Sequence, residues 1–254
     1  MNKILNTILS ILAFSFISTS SLAFIVTGDS ILIDFTKDGE GVTGVSGETW
    51  NNITTTTANF GGGSLETQNV TLSSNLVRLS DGAATGVGLS IEGLDSASRS
   101  GIGGLTVSPS DSSASFPVSG LIPDAAQADV TFHSGGATQF IFTGLDDSLT
   151  YDLSFQSYTG STARNANNWQ VNADLSGDIL SVDPNDTPSI YTFSNVGTNG
   201  SGQITLRSFT TLGGAELQHI NAVELTAVPE PSTYALLFGI ITLGAVAYRR
   251  RIKN

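Results

Sequence analysis

Two stretches decide the fold: Gln139-Phe140-Ile141-Phe142-Thr143 and Tyr151-Asp152-Leu153-Ser154-Phe155-Gln156-Ser157-Tyr158. Aromatic and β-branched residues recur in them at every second position, which suits a pleated strand with one buried face and not a helix. Gly144-Leu145-Asp146-Asp147 between them supplies turn chemistry, so the two read as antiparallel neighbours. Working outward, Asp129–His133 precedes them across Gly135-Gly136, while Trp169–Asn172, Ile190–Phe193, Gln203–Arg207 and Ile220–Leu225 follow at similar spacing. In the first half, Ile31–Phe35, Val70–Leu72, Leu76–Leu79 and Val87–Ile91 are shorter runs of the same kind. No long helical period and no repeat of fixed length intervenes. An all-β, two-sheet antiparallel sandwich is therefore predicted. Residues 95–124, rich in Ser, Gly and Pro, read as a long excursion.

The two ends of the 254-residue chain lie outside this pattern. Met1 to Ala23 carries Lys3, an apolar stretch from Ile8 to Ile17 and small residues at Ser21 and Ala23, the layout of a secretory signal peptide cleaved after Ala23. At the other end, Tyr234–Tyr248 has neither charge nor proline, so a transmembrane helix there satisfies its own backbone in lipid. Fifteen residues reach roughly 22 Å, short of a hydrocarbon core of roughly 30 Å unless the flanks snorkel. Arg249, Arg250 and Arg251 directly behind it fix the cytoplasmic side and leave the preceding residues outside.

Between the ends, residues 24–227 form one extracytoplasmic domain with five basic residues, Lys37, Arg78, Arg99, Arg164 and Arg207, against 21 acidic ones, a net charge of −16. So negative a body argues against nucleic acid or anionic lipid as a partner and favours neutral ligands or divalent cations. Zero cysteines exclude disulfides, thiolate metal sites and a cysteine nucleophile.

Val228-Pro229-Glu230-Pro231-Ser232, followed by the apolar run and the arginine cluster, resembles the PEP-CTERM sorting signal. The resemblance implies that a membrane-embedded exosortase-type protease cuts near Pro229, Glu230 and Pro231 and passes the protein to the surface. Physically, the two prolines keep the segment extended, the form a protease groove accepts. The body also resembles galactose-binding-like jelly-roll domains, through Ile33-Asp34-Phe35, Trp50-Asn51, Phe142–Leu145 leading into Tyr151–Phe155, Arg164 and Ile220–Leu225. That resemblance implies a sandwich whose members bind glycans or are structural.

Chemistry-bearing clusters are sparse. Gly28-Asp29-Ser30-Ile31 resembles the nucleophile block of SGNH esterases and Glu216–His219 their base motif, but Ser30 runs straight into a strand and no helices exist to build the α/β sheet. His133 lies on the polar side of a strand with no companion at metal spacing. Asp34–Gly39 begins like a calcium loop, yet the twelfth position is Val45 instead of Glu. Asp146-Asp147 and Asp183-Pro184-Asn185-Asp186 place hard oxygens close together, as a structural calcium site or a simple turn would. The metal stays unassigned and no organic cofactor is implied.

For a sugar, the useful elements are a ring to stack on and planar polar groups beside it. Arg164, Asn167, Asn168 and Trp169 offer both within one segment, with Trp50-Asn51-Asn52 as a second cluster; for either tryptophan, packing in the core is the competing use. The expected function is a non-catalytic exported surface or matrix protein that binds glycan or exopolysaccharide. A secreted polysaccharide-acting hydrolase, its carboxylates unlocated in the sequence, is the alternative.

Overall fold

A computed structural model describes residues 25–36, 41–42, 48–54, 69–93, 99–104, 114–134, 137–158, 167–172, 179–182, 188–209, 218–229, 239, 241–243 and 248–249. In chain order the elements are β1 (Ser30–Thr36), β2 (Trp50–Thr54), β3 (Asn69–Ser73), β4 (Gly88–Gly93), β5 (Arg99–Gly104), β6 (Ser115–Phe116) and β7 (Gly120–Leu121). Then come α1 (Asp124–Ala128), β8 (Asp129–Ser134), β9 (Ala137–Thr143), β10 (Thr150–Ser157), β11 (Asn167–Val171) and β12 (Ile179–Val182). The last are β13 (Ser189–Gly197), β14 (Ile204–Phe209), β15 (Gln218–Ile220) and β16 (Ala222–Val228).

The alternation at 139–143 and 151–158 does what its period demands. Phe140 and Phe142 on β9 and Tyr151, Leu153 and Phe155 on β10 are buried in one core. They enter it from different sheets, however, so the turn at 144–149 crosses between layers instead of closing a hairpin. Sheet one has the order β13-β10-β16-β1-β2 and sheet two β12-β11-β14-β9-β4-β3. The molecule is thus a β-sandwich. One pair departs from the antiparallel expectation: β1 and β2 are parallel, Leu32 opposite Trp50 and Phe35 opposite Ile53.

The crossing turn requires glycine. Gly144 has φ +76°, and a Cβ there would lie 2.4 Å from the Gly86 carbonyl oxygen, so neither the backbone nor the space admits a side chain. Gly202, with φ +66°, faces the Leu145 carbonyl oxygen in the same way at 2.7 Å. Tyr151 ties the corner: its phenol oxygen accepts the Asp146 N–H at 2.8 Å and donates to the Asp146 carbonyl, and burial pushes its pKa up to about 12.

The outer side of sheet one is covered by a further layer. Phe116, Ile122 and Ala126, from the β6–β7 hairpin and the α1 segment, pack with Ala114 on Leu32, Trp50 and Ala222. A three-stranded sheet, β15-β8-β5, adjoins it. The 95–124 excursion therefore carries structure: its Gly-rich part at 99–104 pairs with β8, and Ser115–Leu121 forms a hairpin. Residues 76–79, expected as a strand, are instead a loop with one bridge, Val77 to Ala84. The Asn51 amide captures both the Val77 N–H and its carbonyl, at 2.8 and 3.0 Å, and so replaces the strand partner.

Candidate functional site

β11 carries three of the four residues singled out for sugar contact, and its geometry corrects the expectation for Trp169. Trp169 is fully buried, its ring 5.0 Å from Phe155 and 6.4 Å from Phe140 between centroids. It shares parity with Val171, and both face the sandwich interior, where no sugar can stack. Asn167, at 2% exposure, is buried on the same side. Asn168 alone of the three faces outward and is half-buried. Arg164 lies outside the described residues, and so do Asp183, Asn185 and Asp186. Trp50 is nearly buried, its Nε1–H donating to Glu48 at 3.1 Å.

The register instead assembles a polar row that sequence reasoning did not find. Across the outward side of sheet two, Glu92 stands opposite Gln139, Gln139 opposite Arg207, and Arg207 opposite Gln170. At the usual strand spacing the row spans about 14 Å. Gln139 Nε2 donates to Glu92 Oε2 at 3.1 Å. The Arg207 guanidinium lies 6.0 Å from the Phe209 ring centroid, a cation–π distance. Glu92, Gln139, Arg207 and Phe209 are all half-buried.

Gln170 is different. It is 0% exposed, yet neither its amide nitrogen nor its amide oxygen has a hydrogen-bond partner, and the adjacent Arg207 Nε is buried and unpaired as well. A buried amide without partners costs about 1–3 kcal/mol, and native folds keep few such groups. Along the row Glu92, Gln139, Arg207 and Phe209 reach the surface with a carboxylate, an amide, a guanidinium and an aromatic ring, while the unpaired Gln170 amide beside Arg207 is itself closed to solvent. This is the chemistry that meets vicinal hydroxyls. A sequence signal existed: each polar residue adjoins an inward apolar one, as in Trp169-Gln170-Val171, Ile91-Glu92, Gln139-Phe140 and Leu206-Arg207. Only the register shows that these strands place them side by side.

A second concavity, a groove of about 460 Å³, opens between β12 and β13 beside Val171, Leu180 and Asn195. Its size suits a small ligand, but the Asn172 amide there already donates to the Gly197 carbonyl and accepts the Thr205 N–H. It offers less free recognition chemistry than the row.

The other expected groups are engaged in the fold. Asp147 Oδ1 accepts the Thr198 hydroxyl and, at 2.7 Å, the Gly202 N–H; these bonds hold its carboxyl below the usual range. Asp146 Oδ1 accepts both N–H and O–H of Ser148. These two carboxylates cap turns. Among the described residues no group of three His, Cys, Asp or Glu is placed to hold a metal ion. Ser30 is the first residue of β1, its hydroxyl bonded to Thr226 at 2.8 Å. His133 falls on β8, opposite Gln218.

Of the tail, β16 ends at Val228 and Pro229 follows at once. No helix among the described residues is long and apolar enough to cross a membrane. Gly239, Ile241–Leu243 and Tyr248 are helical, and Ile241, Leu243 and Tyr248 are exposed at 61%, 71% and 69%.

No protein-family model and no curated protein matches the chain. Among solved structures, it is similar to the ANX2 ectodomain from Arabidopsis thaliana at 14% identity over 51% of this chain and 40% of that one, with a TM-score of 0.40. It therefore spans two fifths of the ANX2 ectodomain. It is also similar to the CBM36-1 domain of a multidomain xylanase from the hindgut metagenome of Trinervitermes trinervoides, at 13% identity over 50% and 95% of the two chains, TM-score 0.29. A third likeness is to TmCBM61 in complex with β-1,4-galactotriose, at 12% identity over 54% and 86%, TM-score 0.29.

Proposed function

We propose that this chain is an exported surface or extracellular-matrix protein whose sandwich, of galactose-binding-like topology, binds glycan without catalysis through the outward face of sheet two. The observation that supports this most is Gln170, a fully buried amide with both polar atoms unpaired, set beside the unpaired Nε of Arg207. The amide is closed to solvent, so a ligand hydroxyl reaches it only when its covering moves aside, and pairing with both atoms then removes that cost. The net charge of −16 on residues 24–227 favours a neutral polysaccharide over an acidic one. A row crossing four strands accommodates several linked sugars.

Delivery is the second half of the proposal. Signal peptidase removes residues 1–23, the helix 234–248 holds the protein in the membrane, and an exosortase-type protease reads Pro229, Glu230 and Pro231. The exposed Ile241 and Leu243 support a tail that packs against something other than the body.

A polysaccharide pull-down run beside an assay for released reducing ends tests the first half. Retention without product is expected. Product release would point to the hydrolase instead. For the second half, deleting residues 229–254 in a host carrying the protease should abolish clipping and surface delivery, and identical fate of both forms would overturn it.

A further inference from the structure

The fold brings the two ends of the domain to one pole. β1 and β16 are antiparallel neighbours, Ser30 opposite Thr226. Their outer ends are locked, with the Gly28 N–H donating to the Ala227 carbonyl at 2.8 Å and the Ala227 N–H to the Asp29 carbonyl at 3.0 Å. The chain therefore enters and leaves the domain side by side at one pole. The same pole carries the 144–149 and 198–203 loops, since Thr150 stands opposite both Val228 and Gly197.

Five residues, Pro229 to Thr233, connect the end of β16 to the apolar run that starts at Tyr234. Fully extended, that connection reaches at most about 20 Å. The run itself is short for a bilayer, so the flanking residues are drawn toward the headgroups. Val228 is held in the sheet by its pairing with Thr150 and cannot lengthen the tether without fraying a central strand.

Resting on the tail reading above, we propose that before processing this pole, with Thr27, Asp146, Asp147 and Ser201 at its surface, is held against the lipid headgroups of the exporting membrane. The tether alone enforces the contact. The pole offers Asp29, Asp81, Asp146 and Asp147 against Arg78, which is paired with Asp29 and Asp81 at 3.2 and 2.9 Å. An anionic leaflet repels such a surface. Cutting at the Pro-Glu-Pro motif therefore releases the domain cleanly, with no residual adhesion to overcome. The strands then stand along the membrane normal, and the polar row of sheet two, which crosses them, runs parallel to the bilayer.

The absence of cysteine makes the test direct. The full chain carrying T27C, S201C or S189C is labelled with a fluorophore and reconstituted into vesicles of phosphatidylethanolamine and phosphatidylglycerol containing a headgroup-attached quencher. Ser189 lies opposite Ser157, at the far end of β10, about 24 Å from the pole. Labels at 27 and 201 should be quenched several-fold more than the label at 189. Inserting on the order of 20 Gly/Ser residues after Val228, a span of roughly 25 Å, should abolish the difference. Equal quenching at all three sites, in a chain that resists alkaline extraction, overturns the apposition while leaving the tail reading intact. Extraction of the unmodified chain by alkali overturns the tail reading and the apposition with it.

Discussion

The outward faces of the two sheets start from the same pattern and end differently. On sheet one, polar residues pointing away from the core meet protein. Glu224, 1% exposed, accepts the N–H groups of Val118 and Ser119. Asp34 accepts the Val42 N–H, and Ser154 pairs with Thr192. Single oxygens at Gln156 and Asn52 stay unbonded. On sheet two, Gln170 has neither amide atom bonded, and Arg207 leaves its Nε open. A buried polar group bonded to the fold adds specificity to folding; one left unbonded costs stability until something else binds it. The first face is built into the fold, and the second is the one the proposal above assigns to recognition.

The largest effect tests what lies between the faces. Trp169→Ala should destabilise the protein by about 3–5 kcal/mol, since it empties a space between Phe140 and Phe155. Trp169→Phe should retain polysaccharide binding when folded, which thermal denaturation and pull-down would check together. Loss of binding at unchanged stability would restore Trp169 to the ligand.

Next, Glu224→Ala should cost about 1–3 kcal/mol by orphaning the Val118 and Ser119 donors, with no loss of binding in the folded fraction. Burial holds the Glu224 carboxyl above its ordinary pKa. The folded state thus binds this proton more tightly than the unfolded one, and the Glu224 contribution to stability falls as pH rises through the interval above the ordinary value. Urea denaturation across that interval should show this slope in the wild type and not in Glu224→Gln.

Gln170→Met should move the two properties in opposite directions. Removing the unpaired amide should stabilise the fold by about 1–2 kcal/mol, read as a higher midpoint in urea, while retention on polysaccharide falls. The smallest effect is expected at the rim: Phe209→Leu should weaken binding by roughly 0.5–1 kcal/mol through loss of the ring beneath Arg207 and leave stability nearly unchanged.

Much of the sandwich was legible because alternation survives wherever one face of a strand is buried. β9 and β10 are the clearest instances. β5 was not, because Arg-Ser-Gly-Ile-Gly-Gly has almost no side chains to alternate, and β12 has only four residues. The loop at 76–79 imitated a strand because its apolar residues do turn inward, Leu76 fully, although Asn51 takes the backbone bonds. The polar row was illegible for another reason. Its residues are far apart in sequence, from Glu92 to Arg207, and only strand order and register bring them together. Asn167 and Trp169 attracted attention by composition, but parity with Val171 already assigned them to the interior.

The most direct test of the proposed recognition face is to measure, in parallel on the wild-type chain and on Gln170→Met, the urea midpoint and the fraction retained on a neutral polysaccharide. A variant that is more stable and no longer retained is the predicted result. A variant that is more stable and retained as well as the wild type would contradict it.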